Sequence, residues 1–200
     1  MAYALQFSLP GTPVIRYGDE IGMGEDLRLP ERNAIRTPMQ WSRQAHAGFS
    51  TCKRKSQLRR PVISGGEFGF ETVNVEDQQL DPDSLLVWFQ RALLILRECP
   101  EFGEGACSYI DSGHRSVLAL LHESPSGAMV AITNLSADPC TIDLGPQEAQ
   151  DGEPVEVFSD QPYRRVAADL GGIDLGPYGY RWIRLRRTIG GRAGSARRAR

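Results

Sequence analysis

The spacing of apolar positions changes along the chain, and each change marks a region. Tyr3 to Leu9 form a short amphipathic segment that ends at the turn pair Pro10-Gly11. Thr12 to Tyr17 follow as a brief β-rich run, stopped by Gly18. Between residues 18 and 80 no period persists, and Gly, Pro, Asn and Arg are frequent. A loop of that length without elements of its own is uncommon in a compact domain, and is usually functional or disordered. A helical period then appears: Leu85, Leu86, Trp88, Phe89, Ala92, Leu93, Ile95 and Leu96 share a broad apolar face. Asp81-Pro82-Asp83-Ser84 ahead of it supplies a cap, an N-terminal proline and early negative charge. Pro100 marks the end of this helix.

Beyond the helix the pattern turns β-like. Runs at 116–122, 128–134, 141–144, 155–159 and 180–185 are separated by Ser124-Pro125-Ser126-Gly127, Asp138-Pro139, Gly145-Pro146 and Gly171-Gly172. Short strands with turn signals at this spacing predict an antiparallel sandwich or small barrel. The chain therefore divides into residues 1–104, residues 105–186 and a tail of residues 187–200.

Composition adds exclusions. The hydrophobic share of 40% and charged share of 24% are ordinary for a globular protein. A net charge of −2 gives no bulk attraction to nucleic acid or an anionic membrane. Arginines at 186, 187, 192, 197, 198 and 200 crowd the last positions. They could form a nucleic-acid arm, but the Gly, Ala and Ser between them read as a disordered tail, and nucleic acid is not the expected partner. No apolar run is long enough to span a bilayer, and the N-terminus lacks a charged signal region. Cys52, Cys99, Cys107 and Cys140 show no paired spacing, so reduced thiols and a cytoplasmic location are expected.

The chain is poor in recognisable reaction chemistry. Asp19-Glu20 reads as strand end, where neighbours point to opposite faces and cannot share a substrate. Nothing in the sequence separates the pKa values of Glu25 and Asp26. His46, His114 and His122 lack a triad or metal spacing and read as loop or surface residues. Gly18, Gly22 and Gly24 are not followed by the Gly-Lys-Ser/Thr of a phosphate loop. No catalytic residue, metal site or cofactor is predicted.

Position-specific resemblance begins at the first β-rich run. Gly11-Thr12-Pro13-Val14-Ile15-Arg16-Tyr17-Gly18-Asp19-Glu20 resembles the eighth barrel strand of glycoside hydrolase family 13, the α-amylase superfamily. Arg36-Thr37-Pro38-Met39-Gln40-Trp41 is similar to the Arg-x-Pro-Met-Gln-Trp segment of the loop after that strand. Arg60-Pro61-Val62-Ile63, Val73-Asn74-Val75, Leu96-Arg97-Glu98-Cys99-Pro100 and Pro177-Tyr178-Gly179-Tyr180-Arg181-Trp182 continue in the family's order. Arg16 to Gly24 and the Glu-Cys-Pro helix end are most similar to the trehalose synthase branch, which interconverts maltose and trehalose.

The resemblance implies an α+β piece: the last strand, long loop and last helix of a (β/α)8 barrel, then an antiparallel β-sandwich. It also implies an aspartate nucleophile, a glutamate acid/base and a second aspartate, on strands four, five and seven. A retaining glycosidase needs its two carboxylates about 5 Å apart, taken from the ends of several strands. This chain starts at about strand eight, so those acids are expected elsewhere and the chain alone is expected to be inactive. Arg36, Gln40 and Trp41 become the expected sugar-binding residues, a fork and an indole suiting hydroxyls and ring faces. For Gln40 and Trp41 packing at the loop base is the competing role. A disaccharide would bind only with the missing barrel segment, which a partner chain could supply. Residues 1 to about 100 are expected to be poorly ordered without it. The alternative function is a non-catalytic β-module that binds carbohydrate or a partner enzyme, through Tyr163, Tyr178 and Trp182, with a place in the core as the equal reading for Tyr180 and Trp182 on one strand face.

Overall fold

The computed structural model describes residues 1–125, 127–147 and 152–185. The expected tail of residues 187–200 lies outside them. Contacts group the chain into two units, Val14–Leu94 and Met1–Pro13 with Ile95–Arg200. These units cut the chain differently from the expected boundary at 104/105, because the N-terminal segment and the residues around Pro100 join the β-rich part.

That β-rich unit is a layered structure. It begins with a short helix, α1 (Ala2–Ser8), which buries Ala4, Phe7 and Ser8. Its sheets come from β1 (Ala106–Ile110), β2 (Val117–Ser124), β3 (Gly127–Asn134), β4 (Cys140–Ile142), β5 (Val155–Ser159), β6 (Ile173–Leu175) and β7 (Tyr180–Leu185). A five-stranded sheet has the order β1-β2-β3-β7-β5, and β4 pairs with β6 in a second sheet. All the ladders are antiparallel. One face of the large sheet carries Ala119, Leu121, Val130, Ile132, Ile183 and Leu185, packed against Ile142, Leu144, Ile173 and Leu175. The opposite face is covered too. Phe102 meets His122 and Trp182 edge-on at 4.9 and 4.8 Å, and Phe158 lies 5.0 Å from Trp182.

Because both faces are covered, every residue of β3 is buried. Trp182 is fully buried as well. Of the two readings of Trp182, core residue or exposed binding aromatic, the structure shows the core residue, and Tyr180 is buried with it. Pro100 does follow the long helix, but it also opens α4 (Pro100–Glu104), where a proline in the first turn forfeits no hydrogen bond. Glu101 of α4, itself 2% exposed, grips Arg184 of β7 through Nε–Oε1 at 2.8 Å and Nη2–Oε2 at 3.2 Å. Two parallel N–H···O bonds to a buried carboxylate fix the angle of α4 on the sheet.

In the unit Val14–Leu94 the expected β-rich run forms no strand. The backbone from Thr12 to Arg16 is assigned no regular element and has no ladder among the described residues. A barrel strand is held by neighbours on both sides, and nothing in these residues provides one. The expected structureless loop is instead built from short 3₁₀ turns at Asp19–Ile21, Glu31–Asn33, Ala45–Gly48 and Lys55–Gln57, then α2 (Val75–Leu80). Asn74 caps α2 by accepting from the amide of Asp77 at 2.9 Å. The predicted helix is α3 (Leu85–Arg97), shared between the two units and capped by Ser84, whose Oγ accepts from Val87 N at 3.2 Å. It buries Leu86, Phe89 and Ala92 but leaves Leu93 and Leu94 exposed, so its apolar face is wider than what covers it. Ile21, Met39 and Leu86 form a small core with Met23, Val73 and Val75.

Candidate functional site

A cavity of about 550 Å³ lies within the Val14–Leu94 unit, lined by Tyr17, Glu20, Arg36, Trp41, Phe49 and Arg60 among others. One wall is the turn Asp19–Ile21, flanked by Gly18 at φ 93° and Gly22 at φ 68°. Glycine occupies both because this left-handed backbone strains other residues. Asp19 Oδ2 accepts from Arg16 N at 3.0 Å, and Glu20 Oε2 accepts from Gly18 N at 2.7 Å. Both acids brace the turn. They do so from a 3₁₀ turn, however, and not from the strand end the sequence suggested. Tyr17 is pinned by its hydroxyl, which donates to Thr37 O at 2.8 Å.

The opposite wall comes from the loop 36–60. Arg60 Nη1 donates to Arg36 O at 3.0 Å, and its Nη2 donates to Asn33 Oδ1 at 2.6 Å. The Gln40 side chain is completely buried and spans the loop, donating through Nε2 to Val73 O at 2.5 Å and Phe68 O at 3.2 Å. Its neighbour Trp41 faces the other way and is 49% exposed. Of the three expected sugar-binding residues, Arg36 and Trp41 line the cavity. Gln40 does not, because its amide is committed to the loop base. Tyr17, Phe49, Arg59 and Arg60 line the cavity without having been singled out from the sequence. No spacing pattern links them.

The lining can hold a ligand but offers one carboxylate, Glu20, where glycoside cleavage needs two. Asp26 is buried, and the Arg28 guanidinium grips it through Nε–Oδ1 at 2.7 Å and Nη2–Oδ2 at 2.9 Å. These bonds hold its carboxyl below the usual range. His46 and His122 are buried and not surface residues. His46 Nε2 bonds Cys52 O at 2.9 Å, and His122 Nε2 bonds Ser8 O at 2.8 Å. All four cysteines are free thiols, and burial pushes that of Cys99 up to about 11. Among the described residues no group of three His, Cys, Asp or Glu side chains could hold a metal ion, and no helix is long and apolar enough to cross a membrane.

Comparison with known proteins places this geometry in a family. The model of the alpha amylase catalytic domain matches residues 1–104, and that of the maltogenic amylase C-terminal domain matches residues 108–182. The chain belongs to the α-amylase family. The trehalose synthase of Thermus thermophilus is 40% identical over 186 residues, which is 92% of this chain and 19% of that protein. The trehalose synthase of Pimelobacter sp. (strain R48) is 35% identical over 186 residues, 91% of this chain and 32% of that protein. The chain thus spans between a fifth and a third of these α-amylase relatives. A crystal structure of a trehalulose synthase superposes with a TM-score of 0.71 at 20% identity, over 92% of this chain and 37% of that one. That likeness establishes the fold: the end of an α-amylase catalytic domain followed by its C-terminal β-sandwich.

Proposed function

We propose that these residues supply the C-terminal part of an enzyme that interconverts maltose and trehalose, in the cytoplasm. The observation that carries this reading is the cavity lined by Arg36, Trp41, Tyr17 and Phe49 in a chain 40% identical to a trehalose synthase. Indole and phenol faces stack on the apolar side of a pyranose, and guanidinium donors reach its hydroxyls. The reacting carboxylates are those of barrel strands four, five and seven, contributed from outside this stretch of sequence. Within the β-rich unit, Glu101 of α4 binds Arg184 of β7 and holds α4 on the sheet.

The run Thr12–Arg16 forms no strand, and Val14 within it is 79% exposed, a surface that a neighbouring barrel strand would cover. The remaining barrel, on the same or a partner chain, is the occupant this reading requires. The test is to incubate the 200-residue chain with maltose and measure trehalose and glucose. No product is expected from the chain alone, and turnover is expected when the first seven strands of a relative's barrel are co-expressed with it. Product from the chain alone, after host enzymes are excluded, would make Glu20 or another local carboxylate catalytic and overturn the reading.

A further inference from the structure

The β-sandwich carries a second concave surface, of about 380 Å³, which the family reading leaves without a role. Thr141 of β4, Asp174 of β6, and Gln161 and Tyr163 of the segment after β5 line it together with Gly176. The tyrosine is held from three directions. Its hydroxyl donates to Asp160 Oδ1 at 3.0 Å and accepts from Gly176 N at 2.9 Å, while the Arg181 guanidinium sits 4.6 Å from the ring centroid. Arg181 is 1% exposed, so it supports the half-buried ring from below. Two glycines make room for this arrangement. A Cβ on Gly179 would lie 2.7 Å from the Tyr163 hydroxyl, and one on Gly176 would lie 2.6 Å from the Gln161 amide nitrogen.

The polar groups beside the ring keep unused capacity. Asp174 Oδ1 accepts from Thr141 Oγ1 at 2.8 Å and Oδ2 lies 4.0 Å from Arg164, yet the side chain is still 46% exposed. An ionised carboxylate has about four lone-pair sites, so acceptor positions face the cavity. The Gln161 amide gives one bond to the Tyr163 hydroxyl and adds a second N–H and an acceptor, and Thr141 retains hydroxyl lone pairs. A fixed aromatic ring beside a carboxylate, an amide and a hydroxyl is matched by a ligand with both C–H faces and vicinal hydroxyls. Asp174 is the one carboxylate in the lining, where glycoside cleavage needs two.

We propose that this cavity is a second carbohydrate site, binding the terminal pyranose of a neutral glucoside without reacting with it. A locked ring loses little conformational freedom on binding, which favours even a small contact. Such a site would keep a saccharide near the enzyme independently of the cavity around Trp41.

The test uses the full 200-residue chain carrying Trp41→Ala, to silence the other cavity, with maltose as the probe followed by saturation-transfer NMR. Saturable binding in the range of about 1–10 mM is expected. Gln161→Ala and Asp174→Asn should each weaken it about fivefold, one lost hydrogen bond's worth, with the circular dichroism spectrum unchanged. Two independent variants keep the test decisive if either misfolds. No saturation transfer at about 20 mM maltose, or binding untouched by both variants, would overturn the proposal. Tighter binding of glucose 6-phosphate than of glucose would also overturn it, by showing an anion site.

Discussion

Arg181 offers the most exacting test of how the β-sandwich is held together. It lies on β7 with 1% of its side chain exposed, and Glu156 of β5 faces it at 24% exposure. Nε donates to Glu156 Oε1 at 2.9 Å and Nη2 to Oε2 at 3.0 Å. The same guanidinium donates to Asp174 O at 3.2 Å and Arg164 O at 3.0 Å, so it joins β7, β5, β6 and the loop after β5. Arg181→Met keeps most of the apolar stem but removes all four bonds. It strands two backbone carbonyls and a carboxylate. Breaking a buried ion pair from one side costs about 3–5 kcal/mol, and Glu156 can recover some solvation through its exposed fraction, so about 3 kcal/mol is the expected loss. Glu156→Gln should cost less, about 1–2 kcal/mol, because an amide oxygen still accepts one bond and the site is partly wet. Urea unfolding, read through the fully buried Trp182 with Trp41 and Trp88 replaced by Phe, measures both variants and their double mutant. The two changes should couple by about 1 kcal/mol or more. An Arg181→Met chain within about 0.5 kcal/mol of the parent would refute this reasoning, and would show that the guanidinium only fills space.

Two further predictions follow from buried groups. His122 Nε2 donates to Ser8 O and its ring lies against Phe102, so burial holds its pKa below the ordinary value while that bond opposes the shift in part. The fold therefore prefers the neutral ring, and its contribution is complete above about pH 6.5 and lost as pH falls below that. Urea midpoints at pH 7.5 and 5.5 should differ more for the parent than for His122→Gln, and equal differences would exclude His122 as the cause. Gly105 has an ordinary φ of −79°, but a Cβ there would lie 2.4 Å from Glu101 O and 2.8 Å from Glu123 O. Both neighbours are backbone and cannot rotate away, so Gly105→Ala should destabilise by about 1–3 kcal/mol. An unchanged thermal midpoint would show that α4 shifts freely.

The parts of the fold that were legible are those whose order comes from local pattern. Val155–Ser159 and Tyr180–Leu185 are read from alternation and flanking turns, and α3 from its cap and period. The missed strands had no such signal. Three of the five residues of β1 are exposed at a sheet edge, and β6 is three residues long. Thr12 to Arg16 failed in the opposite sense. Their composition suits a strand, but a strand exists only with a partner, and the ladder depends on residues the local pattern cannot see.

The candidate site follows the same logic in a stronger form. Its walls are made by side-chain hydrogen bonds across long stretches of chain: Tyr17 to Thr37 over 20 residues, Arg60 to Asn33 over 27, Gln40 to Val73 over 33. Such bonds obey no period, so Tyr17, Phe49 and Arg60 could not be grouped by spacing. Arg36, Gln40 and Trp41 were found only because a family segment contains them. That segment could not say which member faces the cavity. The Gln40 amide donates to the carbonyls of Val73 and Phe68, and those bonds draw it inward. Trp41, the adjacent residue, is half exposed and lines the cavity. Replacing Gln40 should move Trp41 before it weakens anything else in the cavity.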